Sequence, residues 1–257
     1  MRIVRASFLI TILFLRSFLA SHGASQREPS WTLQRTSIGS FFFEKGITSD
    51  HLRTVQADME QASTLYEREW NLRRNRPMTI YVYATSASFQ KRTKQRRYTA
   101  AIWDGVAMHL QNPSLLEKRA QRTTTILHEM AHVLLHERWQ RKIPLWFEEG
   151  FAVYASGEIG KLPHATEAIP NLRTFQKRRA SCKNWREVQR WYASAALLVA
   201  IIIKQYGKER LKQALTTGEA VSFEKTIASA LSVQYTSFET SILDEYRYRV
   251  AKKKYLY

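Results

Sequence analysis

The segment 124–150, TTILHEMAHVLLHERWQRKIPLWFEEG, constrains this chain more than any other, because it sets ionisable side chains into an apolar helical pattern. His128 and His132 are four residues apart, so on a helix their imidazoles stack on one face, close enough to share one cation. Glu129 lies at the edge of that face, where its carboxylate can reach a water on the ion without being a ligand itself, the position a general base needs. Ile126, Leu127, Val133, Leu134 and Leu135, with Leu115 and Leu116 upstream, make the segment apolar enough to be buried. Buried histidines and a buried glutamate need partners, and a metal supplies them. The alternative is a helix with incidental surface histidines and glutamate.

Two histidines need a third protein ligand if one position is to stay open for water, and the candidate follows the break at Pro144. There WFEEGFAVY reads as a second helix carrying Glu148 and Glu149, of which only one can point at the ion. Glu149 is the choice, because Leu145, Trp146, Ala152 and Val153 put it on an inward apolar face, with Glu148 nearer the edge. Gly150 permits close helix packing. His136 continues the histidine face, but one straight helix cannot easily wrap three side chains around one ion, so it reads as a supporting or surface residue. The expected cofactor is one zinc ion per chain.

At HEMAH and WFEEGFAVY the sequence resembles the gluzincin metallopeptidases, distantly the large zinc aminopeptidases and more nearly small secreted peptidases with a peptidase MA-like domain. The resemblance covers roughly residues 78–210. It implies a zincin-like α+β fold, peptide or protein substrates, His128, His132 and Glu149 as ligands and Glu129 as base. It further implies an oxyanion-binding tyrosine on a helix like WYASAALLVAIIIKQYG, where Tyr192 takes that place. A core tyrosine is the other reading of Tyr192, and Tyr154 is the reserve candidate. The sixteen residues between His132 and Glu149 are slightly few for the large aminopeptidases. Where those enzymes have a Gly-x-Met-Glu-Asn strand that captures a free amine, this chain has Gly105-Val-Ala-Met-His-Leu110, without a carboxylate. Endopeptidase specificity is therefore expected over aminopeptidase specificity. His109 in that stretch reads as structural or exposed rather than as a substrate contact.

Residues 1–25 have a basic start at Arg2 and Arg5, an apolar run from Ala6 to Leu15, and small residues at the end, the pattern of a secretory leader cleaved near 23–25. The expectation is an exported, periplasmic or extracellular protein. Cys182 is the only cysteine, so no intramolecular disulfide is available. The formal charge is +18, of which Arg2, Arg5 and Arg16 carry three, leaving +15 on residues 26–257. Such a charge favours anionic surroundings: envelope lipid headgroups, acidic glycans or an acidic substrate. No recognisable nucleic-acid module accompanies it, so no specific nucleic-acid partner is expected, and a solvated basic surface is the plain reading. A non-catalytic zinc-binding protein, or a cationic envelope-binding module, is the alternative function.

Residues 26–257 read as a single catalytic domain with an α/β part over 26–112 and a mostly helical part over 113–257. Strands or a hairpin are expected over 31–43, a helix over 49–70 with Ser49 or Asp50 as cap, and a clear strand in MTIYVYATS. A charged helix over 86–95 and one or two strands over 98–111 follow, the last strand edging the cleft by analogy with the family. Residues 157–184 read as a loop with short structure, and the remainder as a C-terminal helical bundle.

Overall fold

The computed structural model describes residues 30–140, 142–217 and 222–254; the leader expected over 1–25 lies outside them. The first part is a small mixed sheet. Strands β1 (Trp31–Arg35) and β2 (Gly39–Glu44) form an antiparallel hairpin, and β3 (Met78–Val82) joins β2 in parallel after helix α1 (Ser49–Trp70). Helix α2 (Ser86–Thr93) leads to the short antiparallel pair β4 (Ala101–Trp103) and β5 (Met108–Leu110), giving the order β1-β2-β3-β5-β4.

The edge of the sheet differs from the expectation. β5, the last strand in sequence, lies between β3 and β4, and β4 forms the rim. The reason is the tight turn at Gly105, whose φ of 95° reverses the chain so that β5, with three buried residues, pairs with β3. Gly105-Val-Ala-Met-His-Leu110 is thus a turn and an interior strand, not the cleft strand to which it was likened.

Helix α1 buries Leu52, Val55, Met59, Ala62, Tyr66 and Trp70 along one face, as three- and four-residue spacing dictates. Its cap is Thr48 rather than Ser49 or Asp50: Thr48 is extended, and its hydroxyl accepts the His51 N–H. Helix α3 (Pro113–Lys118) begins with Asn112 as cap and Pro113 in its first turn, so Leu115 and Leu116 belong to a separate helix. Helix α4 (Arg122–Trp139) carries HEMAH, and α5 (Leu145–Ala155) carries the two adjacent glutamates. The Tyr66 hydroxyl donates to the Leu127 carbonyl at 2.9 Å, tying α1 to α4.

The loop expected over 157–184 contains a short 3-10 turn at Glu158–Lys161, helix α6 (Leu172–Arg178) and a second 3-10 turn at Arg179–Ser181. Helix α7 (Trp185–Tyr206) then packs along α5, and α8 (Lys208–Thr217), α9 (Phe223–Leu231) and α10 (Tyr235–Lys252) complete the helical part. Gly150 sets how closely α5 and α7 approach: a Cβ there would lie 2.5 Å from the Ala195 carbonyl oxygen. Trp139 of α4, Trp146 and Phe147 of α5 and Phe223 of α9 meet as a fully buried aromatic cluster behind the metal-binding candidates.

Candidate metal centre

Helix α4 presents His128, His132 and His136 along one face, and α5 crosses opposite them after Pro144 ends the preceding connection. The Nε2 atoms of His128 and His132 lie 3.2 Å apart, and Glu149 Oε2 lies 3.5 Å from each. A tetrahedral ion with ligand bonds of about 2.0–2.1 Å has ligand-to-ligand edges of about 3.3–3.4 Å, so this triangle has the size of one face of a zinc site. Among the described residues Glu149 Oε2 is buried and has no hydrogen-bond partner, a costly state that a cation at the centre of the triangle would relieve.

The protons on the two imidazoles follow from what stands behind them. His128 Nδ1 is 3.0 Å from Glu158 Oε2, and His132 Nδ1 is 2.6 Å from Glu148 Oε1. Ionised carboxylates only accept, so both Nδ1 atoms carry hydrogen, and in the neutral imidazoles that bind an ion each Nε2 lone pair would face the triangle. His136 completes the network: its Nδ1 accepts from the Trp103 indole at 3.0 Å, leaving Nε2–H to donate to Glu148 Oε1 at 2.8 Å. Glu148 is therefore not at the edge of α5 as its sequence neighbours suggested; it is buried beneath two histidines.

The electrostatics favour a positive charge at this point. Burial works against charge on His132, yet Glu149 and Glu148 outweigh it and push its pKa up to about 10. Burial likewise opposes charge on His128, and Glu158 and Glu149 raise its pKa well above the usual histidine range. Against the cost of burial, hydrogen bonds from His132 and His136 hold Glu148 down to about 2. Two neutral imidazoles and a carboxylate around an ion satisfy the same field, so the donor set fits a divalent cation.

Glu129 lies on the cleft side of this triangle, buried, with Oε2 accepting the Trp103 backbone N–H at 2.7 Å. Burial raises its carboxyl pKa, offset in part by His132 and His128. Trp103, at the end of the rim strand β4, thus engages both Glu129 through its backbone and His136 through its indole. One backbone N–H of that rim is already committed, which leaves less of β4 free to pair with an extended chain than a bare edge would have.

Tyr192, on α7, lines the same cleft, with its ring 6.4 Å from that of His128 and its oxygen 3.4 Å from an Arg179 Nη2 donor. Burial raises its pKa, so the phenol stays protonated and able to donate. Tyr154, the reserve candidate, does not line the cleft; its ring packs edge-on against Trp70, 6.2 Å away. That side of α5 faces the core next to α1. His109 is buried and bridges the Tyr83 hydroxyl at 2.7 Å and Asp104 at 3.1 Å, away from the cleft.

The cleft has a volume of about 670 Å³ and is walled by residues 95–103, by α4 and α5, by the turn after α5 and by the start of α7. Glu158, Trp103 and Arg179 were missed by reasoning from the sequence. Gly157, at φ 76°, turns the chain back after α5 and delivers Glu158 to His128, a closure across a separation of 30 positions that the sequence does not announce. Glu148 was visible only as a rival ligand.

Residues 58–250 match the family model of the Peptidase MA superfamily, which spans most of the chain. This protein belongs to that superfamily, and a peptidase-type function with peptide or protein substrates comes with it. No curated protein matches the chain.

Proposed function

We propose that this chain is a zinc-dependent peptidase of the gluzincin type that cuts within peptide chains and is exported by way of its N-terminal leader. His128, His132 and Glu149 hold one zinc ion. The observation that carries the reading is the triangle of two Nε2 atoms and Glu149 Oε2, the last buried without a hydrogen-bond partner. When bound, zinc in such a ligand set supplies Lewis-acid activation of a water and of the scissile carbonyl.

The chain's own residues do the rest. Glu129, steadied by the Trp103 N–H, takes the proton of the attacking water on its carboxylate and returns it to the leaving amine. Glu148 and Glu158 keep the Nδ1 protons of His132 and His128 in place, so the Nε2 lone pairs stay aimed. Tyr192 donates from its hydroxyl to the oxygen that becomes negative in the transition state, and the Arg179 N–H held to its oxygen strengthens that donation. Cutting within chains is supported by the wall over residues 95–103, which carries no carboxylate to receive a free amino terminus.

The test is metal content by elemental mass spectrometry on protein purified without chelator, beside a cleavage screen of quenched peptides. About one zinc per chain, clearly reduced in Glu149→Gln, with peptide turnover, is the expected result. Folded protein with almost no zinc would sink this reading. Zinc without turnover, unchanged by Glu129→Gln, would instead favour a non-catalytic zinc protein.

A further inference from the structure

The cleft carries more positive charge than the proposed chemistry uses, since only Arg179 has a part in it, through Tyr192. Arg96, before β4, Lys161, in the turn after α5, and Arg179, before α7, all line it. Their hydrogen bonds go to neutral oxygens: Arg96 to the Tyr98 hydroxyl at 3.0 Å, Lys161 to the Ala120 carbonyl at 3.5 Å, and Arg179 to the Tyr192 hydroxyl at 3.4 Å. None of the three forms an ion pair among the described residues.

The carboxylates of the cleft are Glu129, Glu148, Glu149 and Glu158, and every one is engaged in the histidine cluster or with the Trp103 backbone. Beyond that cluster the described lining residues carry positive and neutral groups only. The contrast between neighbours is sharp: Arg178 turns away and pairs with the buried Glu167 at 2.7 Å, whereas Arg179 faces the cleft, feels Glu149 only at longer range and makes no ion pair among the described residues. Cations approach from three separate segments, so an extended peptide meets positive charge at several points along its length.

From these unpaired cations we infer that the cleft selects peptides with aspartate or glutamate side chains flanking the bond to be cut. This rests on the peptidase reading for the location of that bond, and on the cation arrangement alone for the charge preference. Partly exposed ion pairs each favour binding roughly two- to fivefold, so a peptide with two well-placed carboxylates gains about tenfold over its amide counterpart.

The experiment measures affinity without turnover. Zinc-loaded Glu129→Gln protein is titrated, by fluorescence anisotropy, with a labelled peptide containing Asp and Glu and with the isosteric peptide containing Asn and Gln. The acidic peptide is expected to bind about tenfold tighter at about 50 mM salt, and the ratio to shrink towards one at about 500 mM. The double substitution Arg96→Glu and Lys161→Glu is expected to bring the ratio to one or below. Lys225→Glu, a charge reversal at an exposed position of α9 outside the cleft, is expected to leave it unchanged. A ratio near one in the parent protein overturns the inference, and so does a ratio undiminished in the folded Arg96 and Lys161 variant, because the charge preference then comes from elsewhere. Incubating the same two peptides with the native protein separates the two ideas: selective binding without cleavage refutes the peptidase reading only, and equal binding with cleavage refutes the charge preference only.

Discussion

The backbone N–H of Trp103 points at Glu129 Oε2 across 2.7 Å, so the rim strand of the sheet holds the carboxylate of the HEMAH helix that we propose as the general base. An amide at that position can still accept the same hydrogen bond but cannot take a proton. Glu129→Gln is therefore expected to keep its fold and its metal while losing about 10²- to 10⁴-fold in kcat. Steady-state kinetics beside metal content checks this, and an undiminished kcat would falsify the assignment of the base.

Glu148 and Glu149 are adjacent in sequence and do different work. Glu149→Gln alters one of the three proposed ligands, whereas Glu148→Gln leaves all three donor atoms and disturbs only the partner of His132 Nδ1 and His136 Nε2. Chelator competition should find zinc affinity reduced about 10- to 100-fold in Glu148→Gln, and by more in Glu149→Gln. The reverse order would mean that the two glutamates have been assigned wrongly.

Tyr192→Phe removes one hydroxyl beside His128 and leaves the ring. If that hydroxyl meets the developing oxyanion, kcat should fall about 10²- to 10³-fold with zinc content unchanged. Tyr154→Phe, on the side of α5 that packs against Trp70, should leave kcat within a few-fold of native. Equal effects from the two would return Tyr192 to the role of a core aromatic.

Gly150→Ala tests how tightly α5 is held. The added methyl would meet the Ala195 carbonyl oxygen at 2.5 Å, and both partners are helix backbone that cannot rotate away. Forcing α5 from α7 should cost about 1–3 kcal/mol in denaturant unfolding. Because Glu149 rides on the same helix, zinc affinity should drop as well. A variant as stable as native would show that the two helices can separate freely.

His109 predicts a pH effect away from the metal. Burial lowers its pKa, with Asp104 raising it in part and Arg92 lowering it further, and it also bonds the Tyr83 hydroxyl. Below about pH 6.5 the unfolded chain takes up a proton that the folded histidine resists. The unfolded state then binds more protons, so this contribution is full above that pH and is lost as pH falls below it. With zinc saturating, Tm should drop more between pH 7 and pH 5.5 in native protein than in His109→Gln. Parallel curves would show that the His109 pKa is the same in the folded and unfolded chain, and the expected shift would be refuted.

His128, Glu129 and His132 could be read from the sequence because helical periodicity is local: a spacing of four dictates one face wherever the helix sits. The same logic separated Glu149 from Glu148 through the apolar neighbours of each, although it misplaced Glu148 at an edge. The apolar face of α1 and the strand in MTIYVYATS were legible for the same reason, since periodicity and β-branched composition are properties of short windows. The cap of α1 was missed by one residue because it depends on the backbone angles of Thr48, not on residue type alone.

What only the tertiary structure decided are relations between distant segments. The strand order put β4 rather than β5 on the rim and so gave Trp103 its two partners. The turn at Gly157 brought Glu158 to His128, and the 3-10 turn before α7 set Arg179 against Tyr192. The sequence by itself determined which side chains could bind an ion. The carboxylates that orient them, and the charges that face a substrate, were decided by packing, because such contacts arise between segments with no fixed spacing and leave no period in the chain.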